Sequence, residues 1–183
     1  LFNQSAGVVT IDGSRVVSNT AAANGGGINN ICGVILITNG GLLGNNRANA
    51  GGGILNEAAG QVTLDASALV SNTSASSGGG IYNTDSGSAV TLTRGSRADG
   101  NAASSMGGGI YNIGSSLILT QASRAQANTA SFGGGIMNQA AGQVTVDASL
   151  VASNTATFEG GGIYNAGGAL AFTHGSQAQA NTA

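Results

Sequence analysis

A short glycine-rich motif is repeated throughout this chain and constrains its fold more than any other feature. Intact Gly-Gly-Gly triplets begin at six positions: Gly25, Gly51, Gly78, Gly107, Gly133 and Gly160. Successive triplets are 26, 27, 29, 26 and 27 residues apart, and Leu1-Phe2-Asn3 reads as a clipped seventh copy. A near-constant period in the twenties is typical of one supersecondary unit stacked on itself. We therefore predict a single continuous array over residues 1–183, either a segment of a longer repeat protein or a subunit that stacks on copies of itself.

Each unit has the pattern of short strands separated by bends. The unit that begins at Gly51 contains Ile54-Leu55-Asn56, Val62-Thr63-Leu64 and Leu69-Val70-Ser71. Apolar and polar residues alternate with the period of two that marks a strand, and no stretch has the 3.6-residue spacing of an amphipathic helix. Because the elements repeat in the same order, like strands pair in parallel, and such coils are normally right-handed. The predicted fold is all-β: a right-handed, single-stranded parallel β-helix of about seven coils of 26–29 residues, with three short strands per coil.

Stacked coils place like residues in columns, and two asparagine columns run through all seven units. The first contains Asn3, Asn30, Asn56, Asn83, Asn112, Asn138 and Asn165, and the second contains Asn19, Asn46, Asn72, Asn101, Asn128, Asn154 and Asn181. Amides one coil apart can hydrogen-bond along the axis, and asparagine tolerates the left-handed backbone of a bend. We interpret both columns as structural ladders at corners.

The glycine triplets are also interpreted as structural corners. They lack the Lys-Ser/Thr and the strand-to-helix context of a phosphate loop. We expect positive φ, or no room for a Cβ, at the central glycines Gly26, Gly52, Gly79, Gly108, Gly134 and Gly161. A serine column marks a further turn: Ser14, Ser67, Ser96, Ser123, Ser149 and Ser176.

Two subtypes of unit are distinguished by the residue that follows the middle strand. Three units carry Asp12, Asp65 and Asp147, and the other four carry Thr38, Thr93, Thr120 and Thr173 with one extra residue before the serine bend. Acidic residues in adjacent coils would lie about 4.8 Å apart and repel one another, which this arrangement avoids. Arg97 and Arg124 align in neighbouring coils near Asp99, and we expect a solvated pair there rather than a binding site.

The composition excludes several classes of function. Only 12 of the 183 residues are charged and the net charge is −2, so no basic stripe favours nucleic acid. The longest apolar run, Val34-Ile35-Leu36-Ile37, is far shorter than the roughly 20 residues of a membrane-spanning helix. Cys32 is the single cysteine, and on an apolar segment we expect an inert core residue.

The repeats resemble those of a known family. Leu69-Val70-Ser71-Asn72, followed by Gly78-Gly79-Gly80-Ile81-Tyr82, resembles the paired Phe-x-x-Asn and Gly-Gly-Ala-Ile repeats of polymorphic outer-membrane protein passengers. The chain departs by having Leu, Val or Ala in place of Phe, and a third glycine in place of Ala. It is equally similar to secreted bacterial β-helix repeat proteins in general. The resemblance implies an autotransporter-like right-handed β-helix, extracellular or on a bacterial cell surface, with an adhesive role.

Parallel β-helices also include polysaccharide-cleaving enzymes, so catalytic motifs need to be considered. Asn83-Thr84-Asp85 and His174-Gly175 resemble parts of the polygalacturonase motifs, but the Asp-Asp and Arg-Ile-Lys elements are missing. The two fragments lie three or more coils apart, beyond about 9 Å along the axis. The carboxylates are scattered rather than clustered as calcium requires, and no Ser or Cys is placed beside His174. We predict no catalytic, cofactor-binding or metal-binding residue.

Ice binding through a regular column of outward-facing threonines is a further alternative. The outward column of the middle strand reads Thr10, Leu36, Thr63, Thr91, Ile118, Thr145 and Ala171. Three of these seven positions are not threonine, which interrupts a regular lattice.

The sequence thus favours a non-enzymatic extracellular solenoid segment that is structural or adhesive: a surface passenger, stalk or adhesin. The main alternative is a self-assembling subunit of an extracellular filament stacked head to tail. A carbohydrate-active enzyme or carbohydrate-binding rod is a lesser one. The expected partners are further copies at the ends of the rod and host-surface or glycan contacts.

Overall fold

The computed structural model describes residues 1–183, which form strands joined by turns and bends and contain no helix. Coil 1 holds β1 (Phe2–Gln4), β2 (Val8–Asp12) and β3 (Arg15–Val17), and coil 2 holds β4 (Ile28–Ile31), β5 (Val34–Thr38), β6 (Leu42–Gly44) and β7 (Arg47–Ala48). Coil 3 holds β8 (Ile54–Glu57), β9 (Gln61–Asp65), β10 (Ala68–Val70) and β11 (Thr73–Ser74), and coil 4 holds β12 (Ile81–Thr84), β13 (Ala89–Thr93), β14 (Arg97–Asp99) and β15 (Ala102–Ala103). Coil 5 holds β16 (Ile110–Ile113), β17 (Ser116–Leu119), β18 (Arg124–Gln126) and β19 (Thr129–Phe132), and coil 6 holds β20 (Ile136–Gln139), β21 (Gln143–Asp147), β22 (Leu150–Ala152) and β23 (Thr155–Glu159). Coil 7 holds β24 (Ile163–Ala166), β25 (Ala169–Thr173) and β26 (Gln177–Gln179).

These strands form four parallel sheets in which each strand pairs with its equivalent one coil away. Sheet 1 is β1-β4-β8-β12-β16-β20-β24, sheet 2 is β2-β5-β9-β13-β17-β21-β25, sheet 3 is β3-β6-β10-β14-β18-β22-β26, and sheet 4 is β7-β11-β15-β19-β23. The predicted all-β fold of about seven stacked parallel coils is confirmed. The structure has no helix with the length and apolar character needed to cross a bilayer.

Sheet 4 corrects the expected number of strands, which is four rather than three in coils 2 to 6. Its strands are short, and Thr73–Ser74 pairs in register with Arg47–Ala48 on one side and with Ala102–Ala103 on the other. Apart from Arg47, these residues are alanine, serine and threonine, and they show no alternation of large apolar and polar side chains, so the sequence indicates only a corner. The backbone pairing of neighbouring coils nevertheless makes them strands.

The core is a column of aliphatic side chains enclosed by sheets 1, 2 and 3. Sheet 1 contributes one isoleucine in each of coils 2 to 7, such as Ile54, and sheet 2 contributes two aliphatic residues in most coils, such as Val62 and Leu64. Sheet 3 contributes one residue, such as Leu69. Full burial of each large side chain is worth roughly 1.5–3 kcal/mol, so the stacking of equivalent coils stabilises the whole array.

The glycine triplets form a corner between sheets 4 and 1 where backbone packs on backbone. The first glycine of each triplet has φ between 61° and 68°, in the left-handed region. A Cβ on the second glycine would collide with backbone; at Gly52 it would lie 2.5 Å from the carbonyl oxygens of both Gly79 and Thr73. The first position of the triplet therefore requires glycine because of its positive φ, and the second requires glycine because there is no room for a Cβ.

Cys32 is exposed, so its expected place in the core is wrong. It occupies the turn between β4 and β5 with a φ of 55°. The apolar residues on both sides belong to the strands, whereas the left-handed turn directs Cys32 away from them.

Candidate functional site

The first asparagine ladder lies where sheet 1 ends. Each side-chain Nδ2 donates to the Oδ1 of the equivalent asparagine in the next coil, at 2.8–2.9 Å over all six steps. The second Nδ2 hydrogen is donated to a nearby backbone carbonyl. Asn56, for example, donates to the Gly60 carbonyl at 2.8 Å. The ladder residues of coils 2 to 6 are completely buried. The predicted asparagine ladder is thus confirmed, and its buried amide groups are paired, as burial requires.

The second ladder follows sheet 3 and adds the backbone to the same arrangement. Asn46 donates from Nδ2 to Asn72 Oδ1 at 3.0 Å, and its backbone N–H donates to that same oxygen at 3.0 Å. Its Nδ2 also reaches the Val16 carbonyl at 2.9 Å. The pattern repeats to Asn181.

The ladder asparagines do not themselves take the left-handed backbone that we expected of them. Positive φ occurs instead at the residue before each asparagine of the second ladder: Ser18, Asn45, Ser71, Gly100, Ala127, Ser153 and Ala180. This preceding residue turns the chain so that the asparagine amide and backbone N–H both face the next coil. The asparagine is selected for its side-chain amide and not for its own φ.

The two subtypes of unit correspond to two turns between sheets 2 and 3. In the aspartate units, the serine hydroxyl donates two residues back, as Ser67 does to the Asp65 carbonyl at 2.7 Å. In the threonine units, the extra residue means that the serine hydroxyl donates three residues back. Ser96, for example, donates to the Thr93 carbonyl at 2.7 Å. Both turns return the serine to the same column.

The longer turn also places a polar side chain on the aspartate of the preceding coil. Asn39, Arg94 and His174 each occupy its first left-handed position, with φ of 52°, 49° and 49°. Their side chains bond to Asp12, Asp65 and Asp147 respectively. Because a threonine unit follows each aspartate unit, no two of these aspartates are adjacent, and each receives a partner side chain from the next coil. The sequence alone did not reveal these contacts.

Asp147 has the most donors of these three acids. Thr173 Oγ1 donates at 2.6 Å, His174 contacts it through Nδ1, and Thr120 Oγ1 donates at 3.1 Å. These bonds, that from Thr173 foremost, lower the pKa of Asp147 below its usual value. His174 is 80% exposed, and no nucleophilic side chain bonds to it. The pair has a base and its orienting carboxylate but lacks the third member of a hydrolytic triad.

The two fragments that resemble polygalacturonase motifs have separate partners. Asp85 accepts a hydrogen bond from the Ala58 backbone N–H at 3.1 Å, in the turn after sheet 1. His174 lies with Asp147 in the turn after sheet 2. The structure does not bring the two together. It contains no group of three or more His, Cys, Asp or Glu side chains suited to a metal ion.

Two groups of aromatic side chains lie on strands of sheets 1 and 4, which flank the glycine corner. Tyr82 and Tyr111 pack edge to face with ring centres 4.9 Å apart, and Phe132 stacks on Phe158 at 5.3 Å and lies 6.0 Å from Tyr164. Burial, followed by the nearby charges of Asp85 and Glu57, raises the pKa of Tyr82. For Tyr164 the pKa is raised first by its hydrogen bond to Glu159.

Sheet 3 carries an arginine column that the sequence revealed only in part. Arg97 and Arg124 are register partners, as expected, and both approach Asp99, at 3.8 and 2.8 Å. Arg15 belongs to the same outward column, three coils from Arg97. Its membership could have been found from the sequence, because each of these arginines directly follows a residue of the serine column: Ser14, Ser96 and Ser123.

No protein-family model matches the chain, and no curated protein or solved structure matches it.

Proposed function

We propose that this chain is a non-enzymatic solenoid rod that serves a structural or adhesive role outside the cell, as a passenger, stalk or adhesin segment on a bacterial surface. The observation that supports this most is the pair of unbroken asparagine ladders, which hold every coil to the next. A stack held along its whole length is stiff and presents its outer faces in fixed register. The resemblance of its repeats to autotransporter passengers supports the proposed location.

Protease treatment of intact bacteria tests the location and the role together. Antibodies to the repeat should label intact cells, and proteinase K added outside should remove that labelling while a cytoplasmic marker survives. Labelling that appears only after lysis would contradict the proposal. Release of reducing ends or unsaturated products from pectin or chitin would contradict the non-enzymatic part.

A head-to-tail filament subunit is a second candidate, supported by the identical pairing of each coil with the next. The strands of sheets 1, 2 and 3 pair in parallel with their equivalents one coil away, and the inward columns of sheet 2 include Leu170 and Phe172. A coil of this kind can pair in the same way with a coil of another copy.

Negative-stain microscopy of the purified chain separates the two candidates. Discrete rods of about 33 Å support the first, and long filaments support the second. If filaments form, Phe172→Lys should abolish them because the charge would be buried at the junction. Ile118→Lys is the matched control: Ile118 is similarly exposed but lies on the side of the rod, so its filaments should persist.

A further inference from the structure

The outward face of sheet 3, which we call the arginine face, concentrates the positive charge of the molecule. One column runs through Arg15, Leu42, Ala68, Arg97, Arg124, Leu150 and Gln177, each the register partner of the next. It holds three of the five arginines in the chain. Their guanidinium groups are accessible: Arg15 is exposed, and the side chains of Arg97 and Arg124 are 46% and 35% exposed.

Small residues between the arginines leave shallow grooves on this face. A groove of about 340 Å³ runs from Arg15 to Arg97 over Leu42, Gly44 and Val70. A second groove, of about 330 Å³, lies beyond Arg124 and is lined by Leu150, Gln177 and Gln179 among others. The face thus offers cations and amides around a low apolar floor along most of the rod.

The charge of this face is positive although the chain as a whole is negative. Its strands carry three arginines and one acid, Asp99, which leaves a net +2. Asp99 bonds to Arg124 and lies near Arg97, but Arg15 has no ion-pair partner. On the adjacent turn, Asp65 and Asp147 already bind Arg94 and His174. Asp12, the third acid of this turn, accepts hydrogen bonds from Thr38 and Asn39 and forms no ion pair with Arg15. The guanidinium of Arg15 and the outer side of Arg97 therefore remain available to an anion.

The spacing of the arginines selects the form of that anion. Arg15 and Arg97 lie three coils apart, about 14 Å, and Arg97 and Arg124 one coil apart, about 5 Å. A compact anion would meet only the closer pair, whose charge Asp99 offsets by half. A linear polymer with an acidic group on every residue can meet all three.

We propose that the arginine face binds an acidic polysaccharide, a chain of uronate or sulfated sugars that lies along the rod axis. Guanidinium groups bind carboxylate and sulfate oxygens through charge-assisted hydrogen bonds. The floor of Leu42, Gly44 and Val70 accepts the apolar faces of sugar rings, and the Gln177 and Gln179 amides can bond to hydroxyls. The face has no aromatic residue on which bases could stack, which disfavours single-stranded nucleic acid. This inference rests on the proposed role of the rod as a display surface and names the ligand class.

Binding of the purified chain to immobilised polymers tests the proposal. Polygalacturonate and dextran sulfate are the probes, neutral dextran is the uncharged control, and poly-L-glutamate represents an acidic peptide. We expect binding to one or both acidic polysaccharides and none to dextran. Raising the salt from about 50 to 500 mM should weaken it, because exposed charges are then screened.

Single substitutions then locate the site. Arg15→Gln and Arg97→Gln should each weaken binding about tenfold, the loss expected for one charge-assisted bond. Arg47→Gln is the matched control, because Arg47 is an exposed arginine in sheet 4, outside the face, and it should bind as the unaltered chain does. Circular dichroism and thermal unfolding should be unchanged in all three, since these side chains point outward.

Three results would overturn the proposal: no binding to either acidic polysaccharide, an equal loss for Arg47→Gln, or preference for poly-L-glutamate. The last would make the face a site for acidic polypeptides. A chain that labels at the cell surface but binds no polyanion would refute this inference and leave the proposed function standing.

Discussion

At the scale of single residues, the asparagine side chain has the size and polarity that this stack requires. Its Oδ1 accepts from the previous coil while its Nδ2 donates both to the next coil and to a nearby carbonyl, as Asn56 does with Asn83 and Gly60. All ladder bonds point the same way along the rod, so successive amides can polarise one another. An alanine at the same place would leave neighbouring buried groups unpaired.

Removing one amide from the middle of the first ladder should therefore cost more than removing one from its end. Asn83→Ala deprives Asn112 Oδ1 of its side-chain donor and Asn56 Nδ2 of one of its acceptors, both inside the buried stack. We expect the free energy of unfolding to fall by about 2–4 kcal/mol. Asn165→Ala is the control: Asn165 is exposed, so its loss should be under about 1 kcal/mol. Urea unfolding measures both, and equal losses would show that the ladder does not stabilise the middle of the stack.

At the scale of elements, the turn between sheets 2 and 3 carries polar and charged side chains that connect neighbouring coils. A left-handed residue in one coil reaches the aspartate of the coil before it, as Arg94 reaches Asp65. Because the donor and the acid lie on different coils, each such pair links two successive turns outside the core.

The lowered pKa of Asp147 should make the stability of the folded chain depend on pH. Its pKa is lowered in the folded chain, so its contribution is fully present above the unfolded value of about 3.9 and is lost as the pH falls through the lower folded value. Between pH 6 and pH 2.5, the melting temperature should fall less for Asp147→Asn than for the unaltered chain. Identical falls would contradict this.

Glu57 provides the control of opposite sign. Burial, and then the charge of Asp85, raises its pKa, so its ionised form is disfavoured in the folded chain. Glu57→Gln should therefore melt higher than the unaltered chain at neutral pH, and this difference should disappear on acidification.

The sequence predicts elements whose residues are repeated and misses contacts that depend on side-chain reach. Both ladders follow from counting, because a parallel stack places equivalent residues over one another, as Asn83 lies over Asn56. Sheet 4 was missed because residues such as Thr73 pair by backbone alone. The bond from His174 to Asp147 was missed because it joins different columns, and only the turn geometry brings them together.

At the scale of the whole molecule, the rod is a one-dimensional array in which each coil contacts only its neighbours. Its stability should then be a sum of similar units and interfaces. The arginine face on sheet 3 and the two aromatic groups on sheets 1 and 4 lie on different sheets of the same stack. Register between coils is thus the property on which every surface arrangement depends.

Deleting one complete unit tests that dependence. Without residues 107–132, Gly133 would follow Met106, and strand β20 would take the place of β16 beside β12 with Asn138 over Asn83. We expect this variant to unfold in a single cooperative transition and to be shorter by about 4.8 Å in X-ray scattering. Deleting only residues 107–119 is the contrasting variant, because it removes strands of sheets 1 and 2 but leaves those of sheets 3 and 4. It should lose cooperativity, since the strands after the junction would face unlike partners and both asparagine ladders would no longer advance together. If both deletions unfolded alike, the matching of like residues between coils would not be what holds the rod together.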